Sequence, residues 1–99
     1  MTYVVEASTM VKELAIGFGT DDGKKVSFNV LLAKSDIDGY YLSILRDVGG
    51  NYIETMRMDD ESNKMRKVFK STLDRDGITC NITVFIFVDC GLWRIRVDK

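Results

Sequence analysis

The sequence contains no histidine and only two cysteines among its 99 residues. Without imidazole, histidine-based nucleophilic triads, proton shuttles and metal sites are excluded. Two cysteines cannot form a structural zinc site without further ligands. A phosphate-binding glycine loop is also missing, because Gly17 and Gly19 lie in a predicted strand and no G-x-x-x-x-G-K-[ST] pattern follows. We therefore expect no cofactor, no metal and no enzymatic activity.

Long apolar runs are lacking as well. No stretch of 18 apolar residues occurs, so a membrane span is not expected. The first residues lack the basic and apolar segments of a signal peptide. Cys80 and Cys90 are expected about 30 Å apart along one strand, too far for a disulfide. Two free thiols favour a reducing, cytoplasmic location.

The overall composition predicts one small globular domain covering residues 1–99. Hydrophobic residues make up 45% and charged residues 29%, which are globular values. The net charge of −1 is unevenly distributed: residues 1–63 hold 11 acidic and 6 basic side chains, or −5, and residues 64–99 hold 4 and 8, or +4. Such an asymmetry is consistent with oppositely charged surfaces.

The longest strand signal is Ile78–Val88, which is rich in β-branched and aromatic residues and free of proline. Its even-numbered positions are apolar throughout. Its odd-numbered positions become apolar towards the end, at Phe85 and Phe87. A strand that is apolar on both sides is typical of the middle of a sheet.

The N-terminal half predicts an edge strand and a hairpin. Tyr3–Ala7 is a short apolar run of the kind found at sheet edges. Apolar residues then alternate over 14–18 and 26–32, with Asp21-Asp22-Gly23 between them. Because Gly23 adopts positive φ without a steric clash, it suits the last position of a three-residue loop. This register places Phe18 beside Val26 and Ile16 beside Phe28.

A helix is predicted over residues 36–48. Ser35 would cap its N-terminus, and Asp36 and Asp38 would interact with the positive helix end. Gly49-Gly50 would end it. Its apolar stripe consists of Ile37, Tyr40, Tyr41, Ile44, Leu45 and Val48. Leu42 falls outside this stripe, which predicts a contact patch if it is exposed beside Leu31.

A second helix is predicted to begin at Asp59-Asp60-Glu61-Ser62 and to end at Asp76-Gly77. Asn51–Met58, between the two helices, fits either a strand or a helix that runs on into the second one, and we favour the strand. The element order is then β-β-β-α-β-α-β-β. This order indicates an α+β fold, a mainly antiparallel sheet with two amphipathic helices on one face.

The C-terminal residues predict a last hairpin with Asp89-Cys90-Gly91 as its loop. That register sets Phe87 opposite Trp93, so Phe85, Phe87 and Trp93 would share the sheet face that the helices leave uncovered. Such an aromatic set needs a cover, which could be a second sheet layer or another copy of the chain, and we favour the second copy. We therefore expect self-association, as a homodimer, through these three residues.

The leading hypothesis for function is a non-enzymatic protein-binding module, an adaptor or an inhibitor of a larger protein. Acidic clusters would contact a basic partner. The residues concerned are Asp21, Asp22, Asp36, Asp38, Asp59, Asp60 and Glu61. The simpler explanation for most of these acids is stabilisation of a helix N-terminus.

Two alternatives remain open. Nucleic-acid binding would use the basic residues of the second helix and of the last strand: Lys64, Arg66, Lys67, Lys70, Arg94 and Arg96. The pI of about 5.3 argues against it. A small carboxylate-dependent enzyme would need a pocket that holds an acid with a raised pKa.

Overall fold

The computed structural model describes residues 2–34 and 40–99, and these residues form nine β-strands and no helix. The predicted α+β fold is therefore wrong, and the fold class is all-β with two antiparallel sheets. The strands are β1 (Thr2–Ser8), β2 (Glu13–Gly19), β3 (Lys25–Lys34), β4 (Tyr41–Arg46), β5 (Tyr52–Thr55), β6 (Arg57–Met58), β7 (Arg66–Arg75), β8 (Ile78–Phe87) and β9 (Leu92–Asp98).

Contacts divide the chain into two compact units, each containing one sheet. One unit comprises Met1–Val11 with Met56–Lys99, and the other comprises Lys12–Thr55. The predicted organisation as a single domain stays a prediction. No helix in the described part of the chain has the length and apolarity needed to cross a membrane.

The unit of Lys12–Thr55 contains a four-stranded sheet in the order β2-β3-β4-β5. The predicted first hairpin is confirmed, since Phe18 pairs with Val26 and Ile16 with Phe28. Thr20 N donates to the Lys24 carbonyl at 2.8 Å, which closes the three-residue loop. Gly23 has φ of 82°, as the loop requires.

Strand β4 replaces the middle of the first predicted helix, over Tyr41–Arg46. Tyr41, Ser43 and Leu45 are buried in alternation with less buried neighbours, a two-residue period that only a strand produces. Gly50, with φ of 85°, lies in a tight loop where Asp47 N donates to the Asn51 carbonyl at 2.9 Å. The glycine pair therefore makes a hairpin loop and not a helix end. Residues 36–39 of the predicted helix lie outside the described residues.

The predicted strand over Asn51–Met58 is confirmed, but it is divided between the two sheets. Strand β5 pairs with β4, and β6 pairs with β7. Met56 lies between β5 and β6 and is buried. One stretch of extended chain thus contributes an edge strand to each sheet.

The other unit contains a five-stranded sheet in the order β1-β9-β8-β7-β6. Strand β8 is central and β1 lies at an edge, so both of these predictions are confirmed. The even-numbered positions of β8 are buried from Ile78 to Ile86. They form one buried face of the sheet with residues of its neighbours, among them Phe69, Leu73, Trp93, Ile95 and Val97.

The second predicted helix is also wrong, because residues Arg66–Arg75 form β7. This strand pairs with β8 along its whole length, from Arg66 opposite Phe87 to Arg75 opposite Ile78. Asp76 and Gly77, with φ of 55° and 79°, make the two-residue turn between the strands. An Asp-Gly pair at positive φ is a strong hairpin signal, and the predicted helix end at these two residues is therefore wrong.

The last hairpin is shifted by one residue from the predicted register. Phe87 pairs with Leu92 and Ile86 with Trp93, so the loop has four residues and not three. A slip of one residue moves every side chain of a strand to the opposite face. Trp93 accordingly lies on the buried face, whereas Phe85 and Phe87 lie on the other.

Candidate binding surface on the five-stranded sheet

The face of the five-stranded sheet opposite its buried face, called here the outer face, gathers aromatic and charged side chains. Phe85 and Phe87 lie on it from the central strand β8. The register places Lys70 beside Thr83, Arg94 beside Phe85 and Glu6 beside Arg94. Four neighbouring strands therefore contribute to one surface.

Phe85 and Phe87 form a stacked pair at the middle of the outer face. Their ring centroids are 6.3 Å apart and their planes differ by 15°. The Arg94 guanidinium lies over the Phe87 ring, 5.1 Å from its centroid, and its Nε donates to Glu6 Oε1 at 2.8 Å. Glu6 thus holds the guanidinium on the aromatic ring, and both phenylalanines remain half-buried.

Three further ion pairs surround this aromatic pair. They are Arg96 Nε with Asp98 Oδ2 at 3.0 Å, Lys70 Nζ with Asp59 Oδ1 at 3.5 Å, and Arg66 Nη2 with Glu61 Oε2 at 3.7 Å. Each is partly exposed and contributes little to stability. Together they surround the aromatic pair with side chains of both charge signs.

The loop between β6 and β7 carries the acidic residues of this surface and is fixed by hydrogen bonds. Asp59 N donates to the Val68 carbonyl at 2.8 Å. Ser62 Oγ accepts from Val68 N at 2.8 Å, and Asn63 Oδ1 accepts from Arg66 N at 2.9 Å. The side chain of Val68 is fully buried although it projects from the outer side of β7. The loop therefore lies along the strand and does not project from it.

An open groove of about 550 Å³ lies between this loop and the strands. Arg57 and Lys70 face each other directly across β6 and β7 on its floor. Thr72 Oγ1 donates to Asn81 Oδ1 at 3.1 Å, and Thr83 completes the lining on that side. The groove is polar, and its lining carries both charge signs.

The pKa values of two carboxyl groups in the described part of the chain, Asp98 and Asp22, are lowered. The hydrogen bond from Thr2 Oγ1, at 2.8 Å, is the main cause that lowers the pKa of Asp98, and Arg96 contributes to it. A hydrogen bond from the Thr20 hydroxyl lowers the pKa of Asp22. A catalytic acid of the predicted kind would need a shift in the opposite direction.

The acidic residues predicted to bind a partner fall into separate units. Asp21 and Asp22 lie in the β2–β3 loop, whereas Asp59, Asp60 and Glu61 lie in the β6–β7 loop. Asp36 and Asp38 lie outside the described residues. The acids of the β6–β7 loop belong to the outer face, and two of them already pair with cations of the same chain.

The basic residues of the nucleic-acid alternative are only partly brought together. Arg66, Lys70, Arg94 and Arg96 lie on the outer face. Lys67, opposite Ile86, projects from the other side of β7, and Lys64 lies exposed in the preceding loop. In a strand, neighbouring residues such as Arg66 and Lys67 project from opposite sides of the sheet. The basic residues therefore do not share one face, as they would on the predicted helix.

Among the residues predicted for self-association, Phe85 and Phe87 are at the surface, and Trp93 is fully buried. Glu6 and Arg57 also belong to this surface, although no local pattern in the sequence predicts it. Both lie on strands at the sheet edges, and only the strand order brings them to this surface.

The four-stranded sheet carries an aliphatic patch whose residues are half-buried, apart from the exposed Leu42. Leu31 pairs with Ile44 and Ala33 with Leu42, on the side opposite to the buried residues of these strands. Leu42 is 46% exposed. Leu42 was predicted on a helix, with a contact patch only if it is exposed beside Leu31. In the sheet Leu42 lies diagonally across from Leu31 on the same side.

Both cysteines are free, as predicted, with Cys80 buried and Cys90 exposed. No group of three or more potential metal ligands occurs among the described residues. No protein family, curated protein or solved structure matches this chain.

Proposed function

We propose that this chain is a non-enzymatic protein-binding module, an adaptor or an inhibitor of a larger protein, and that the outer face binds the partner. The observation that carries the proposal is the stacked Phe85–Phe87 pair, half-buried on a sheet face and covered only in part by Arg94. Burial of this apolar pair by a partner would lower the free energy of the complex, because the pair is removed from water.

The surroundings of this pair fit a protein interface. Aromatic residues and arginine are enriched at interface hot spots, and polar groups usually form the rim. Here Phe85 and Phe87 supply the apolar centre, and the ion pairs of Arg94 and Arg96 supply the rim. We expect a partner that places an apolar side chain on the phenylalanine rings and charges of both signs around it.

The acidic clusters have a smaller part in this proposal than the sequence suggested. Lys70 pairs with Asp59, and Arg66 with Glu61, so these carboxylates are engaged within the chain. A strongly basic partner would have to displace two cations. The proposal therefore depends on the aromatic pair and its rim.

The experiment compares the partners of the chain with those of two double variants. Phe85→Ser with Phe87→Ser removes the apolar centre, and Leu31→Ser with Leu42→Ser removes two apolar side chains from the other sheet. Proteins captured from the producing cells are identified, and each candidate is then purified and titrated against the three chains. We expect the phenylalanine variant to weaken binding by at least about tenfold. Equal affinity of the wild type and the phenylalanine variant would overturn the proposal.

Binding of a single-stranded nucleic acid is the second candidate, favoured by the same aromatic pair. Bases stack on exposed aromatic rings, and nearby cations contact the phosphates. Arg94 and Arg96 on β9 and Lys70 on β7 flank Phe85 and Phe87 as this mode requires. The carboxylates that pair with all three cations argue for the protein partner instead.

Fluorescence anisotropy with labelled single-stranded DNA and RNA tests this candidate at low salt. Nucleic-acid binding predicts an affinity that falls steeply with salt and is lost in Lys70→Glu with Arg96→Glu. Lys67→Glu is the matched control, because Lys67 projects from the opposite side of the sheet. Unchanged anisotropy at low salt would eliminate this candidate.

A further inference from the structure

Strand β1 forms one edge of the five-stranded sheet and pairs only with β9. The direction of its backbone groups follows from the ladder. Thr9 N donates to the Gly91 carbonyl at 2.8 Å, so this pair is of the hydrogen-bonded type. Because such pairs alternate along an antiparallel ladder, Thr2, Val4 and Glu6 direct their N–H and C=O groups away from β9.

The same alternation holds on the other side of the sheet. Val88 N donates to the Met65 carbonyl at 2.9 Å, so the next pair, Arg66 with Phe87, should direct its groups away from the ladder. The Arg66 carbonyl indeed accepts from Asn63 N, outside the ladder, at 2.8 Å. The backbone directions deduced for β1 thus follow a rule that the sheet obeys elsewhere.

This edge lacks the usual features that prevent strand pairing. Strand β1 contains no lysine, no proline and no bulge, and Val4 is 49% exposed. At the opposite edge of the sheet, β6 has only two residues, one of them Arg57. In the described part of the chain, the outward backbone groups of Thr2, Val4 and Glu6 form no hydrogen bond with another strand or loop.

We propose that β1 pairs antiparallel with β1 of a second copy of this chain, about a two-fold axis at Val4. Thr2 then lies opposite Glu6 of the partner subunit, and Val4 lies opposite Val4 of the partner subunit. All three positions direct their backbone groups outward, so about six new hydrogen bonds form. Tyr3 lies beside Val5 of the partner subunit, an aromatic and β-branched pair of the kind that stabilises sheets.

Other registers are less favourable. A two-fold axis at Glu6 would set two carboxylates directly opposite each other. An axis at Val5 would set Val4 against a glutamate and would use Ser8, whose carbonyl already accepts from Val11 N at 2.9 Å. The axis at Val4 uses the outward groups of Thr2, Val4 and Glu6 without opposing like charges.

A second copy is the occupant because the edge is complementary to itself in this register. The same residues supply donors, acceptors and side chains on both sides of the axis. An arrangement of this type is closed, so it ends at a dimer and does not extend into a fibre. The proposal does not depend on the function of the outer face.

Light scattering over a concentration series, up to the millimolar range, measures the assembly. We expect a reversible dimer whose dissociation constant rises at least about tenfold in Val4→Lys, since two lysines would face each other at the axis. Thr2→Lys adds the same charge to the same strand but faces Glu6 of the partner subunit, so its dimer should persist. Near-ultraviolet circular dichroism confirms that both variants are folded.

A monomeric wild type over the whole series would overturn the proposal, and so would equal effects of the two lysine variants. A second test uses Val4→Cys in a Cys90→Ser background, where oxidation should link two chains at the axis. Hydrogen-bonded residue pairs have Cα atoms about 5.5 Å apart, within disulfide range. Ser8→Cys in the same background should stay uncrosslinked. Phe85→Ser with Phe87→Ser should still dimerise, which separates this proposal from the one above.

Discussion

Trp93 on β9 lies directly opposite Ile86 on β8, and its indole is completely buried. This pairing fixes the register of the last hairpin. It also decides which aromatic residues reach the surface, because Phe85 and Phe87 must then project from the other side of the sheet. In the register predicted from sequence, which differs by one residue, Trp93 would lie on the outer face together with Phe85 and Phe87.

The first prediction concerns this division of aromatic residues. Trp93→Ala should lower the free energy of unfolding by about 3–5 kcal/mol, because it empties a large buried volume. Phe87→Ala should cost clearly less, since Phe87 is only half-buried. Urea unfolding followed by circular dichroism measures both. Similar losses for the two variants would contradict the register.

A second prediction concerns the Asp76-Gly77 turn. Gly77→Ala should cost about 1–2 kcal/mol, because Gly77 has φ of 79° and a Cβ is strained there. Gly19→Ala is the control: Gly19 is not at positive φ, and an added Cβ would meet only a carbonyl oxygen at 3.9 Å. Its effect should stay within about 0.5 kcal/mol. Equal unfolding midpoints for the two variants would argue against this turn.

The third prediction concerns the loop that carries the acidic residues. Ser62→Ala should cost about 1–3 kcal/mol, because Val68 N loses its hydrogen-bond acceptor. The exposed Ser27→Ala should be nearly neutral. Amide hydrogen exchange gives a local check, since protection of Val68 should fall in Ser62→Ala. Unchanged protection would show that Ser62 does not hold the loop.

The fourth prediction is a pH dependence. The hydrogen bond from Thr2 lowers the pKa of Asp98 below its ordinary value of 3.8. The stabilisation that this hydrogen bond gives to the folded state is thus fully present above pH 3.8, and it is lost as the pH falls through the lowered pKa of Asp98. Thr2→Val should move the Asp98 pKa back towards its ordinary value, with Arg96 retaining part of the shift. Carboxyl NMR titration measures this; an unchanged pKa would contradict it.

The fifth prediction concerns the thiols. Cys90 is exposed, so it should react with a thiol reagent in the folded protein. Cys80 is buried, and burial raises the pKa of its thiol, so it should react only after unfolding. Counting reactive thiols with and without urea tests this. Two fast thiols in the folded protein would contradict the position of β8.

The features predicted correctly from sequence are those with a strong local signal. The β2–β3 hairpin has strict alternation on both sides of a loop that ends in Gly23, so both its existence and its register followed. The central strand was predictable because Ile78–Phe87 is apolar, β-branched and bounded by glycine. In both cases local preference and the final fold agree.

The predicted helices are wrong because the spacing of their apolar residues fits both the period of a helix and the period of a strand. In β7, Val68, Phe69 and Leu73 lie at helical spacing, yet the strand buries Phe69 and Leu73 on one face and Val68 beneath a loop. The turn residues carried the decisive signal. Asp76-Gly77 and Gly49-Gly50 both make hairpin turns, and interpreting them as helix ends changed the fold class.

The candidate surface was predictable only in its parts. Arg94, Arg96 and the two phenylalanines were identified, but the stack with Arg94 requires the observed register of β9. Glu6 reaches Arg94 only because β1 pairs with β9, a contact between the two ends of the sequence. Local patterns contain no information about such a pairing.

The most direct test of the protein-binding proposal places a photo-crosslinking phenylalanine analogue at Phe87 in the producing cells, with Leu42 as the comparison position. We expect a discrete protein adduct from position 87, absent from position 42 and lost when Phe85→Ser is added. No protein adduct at position 87, or the same adducts at both positions, would contradict it.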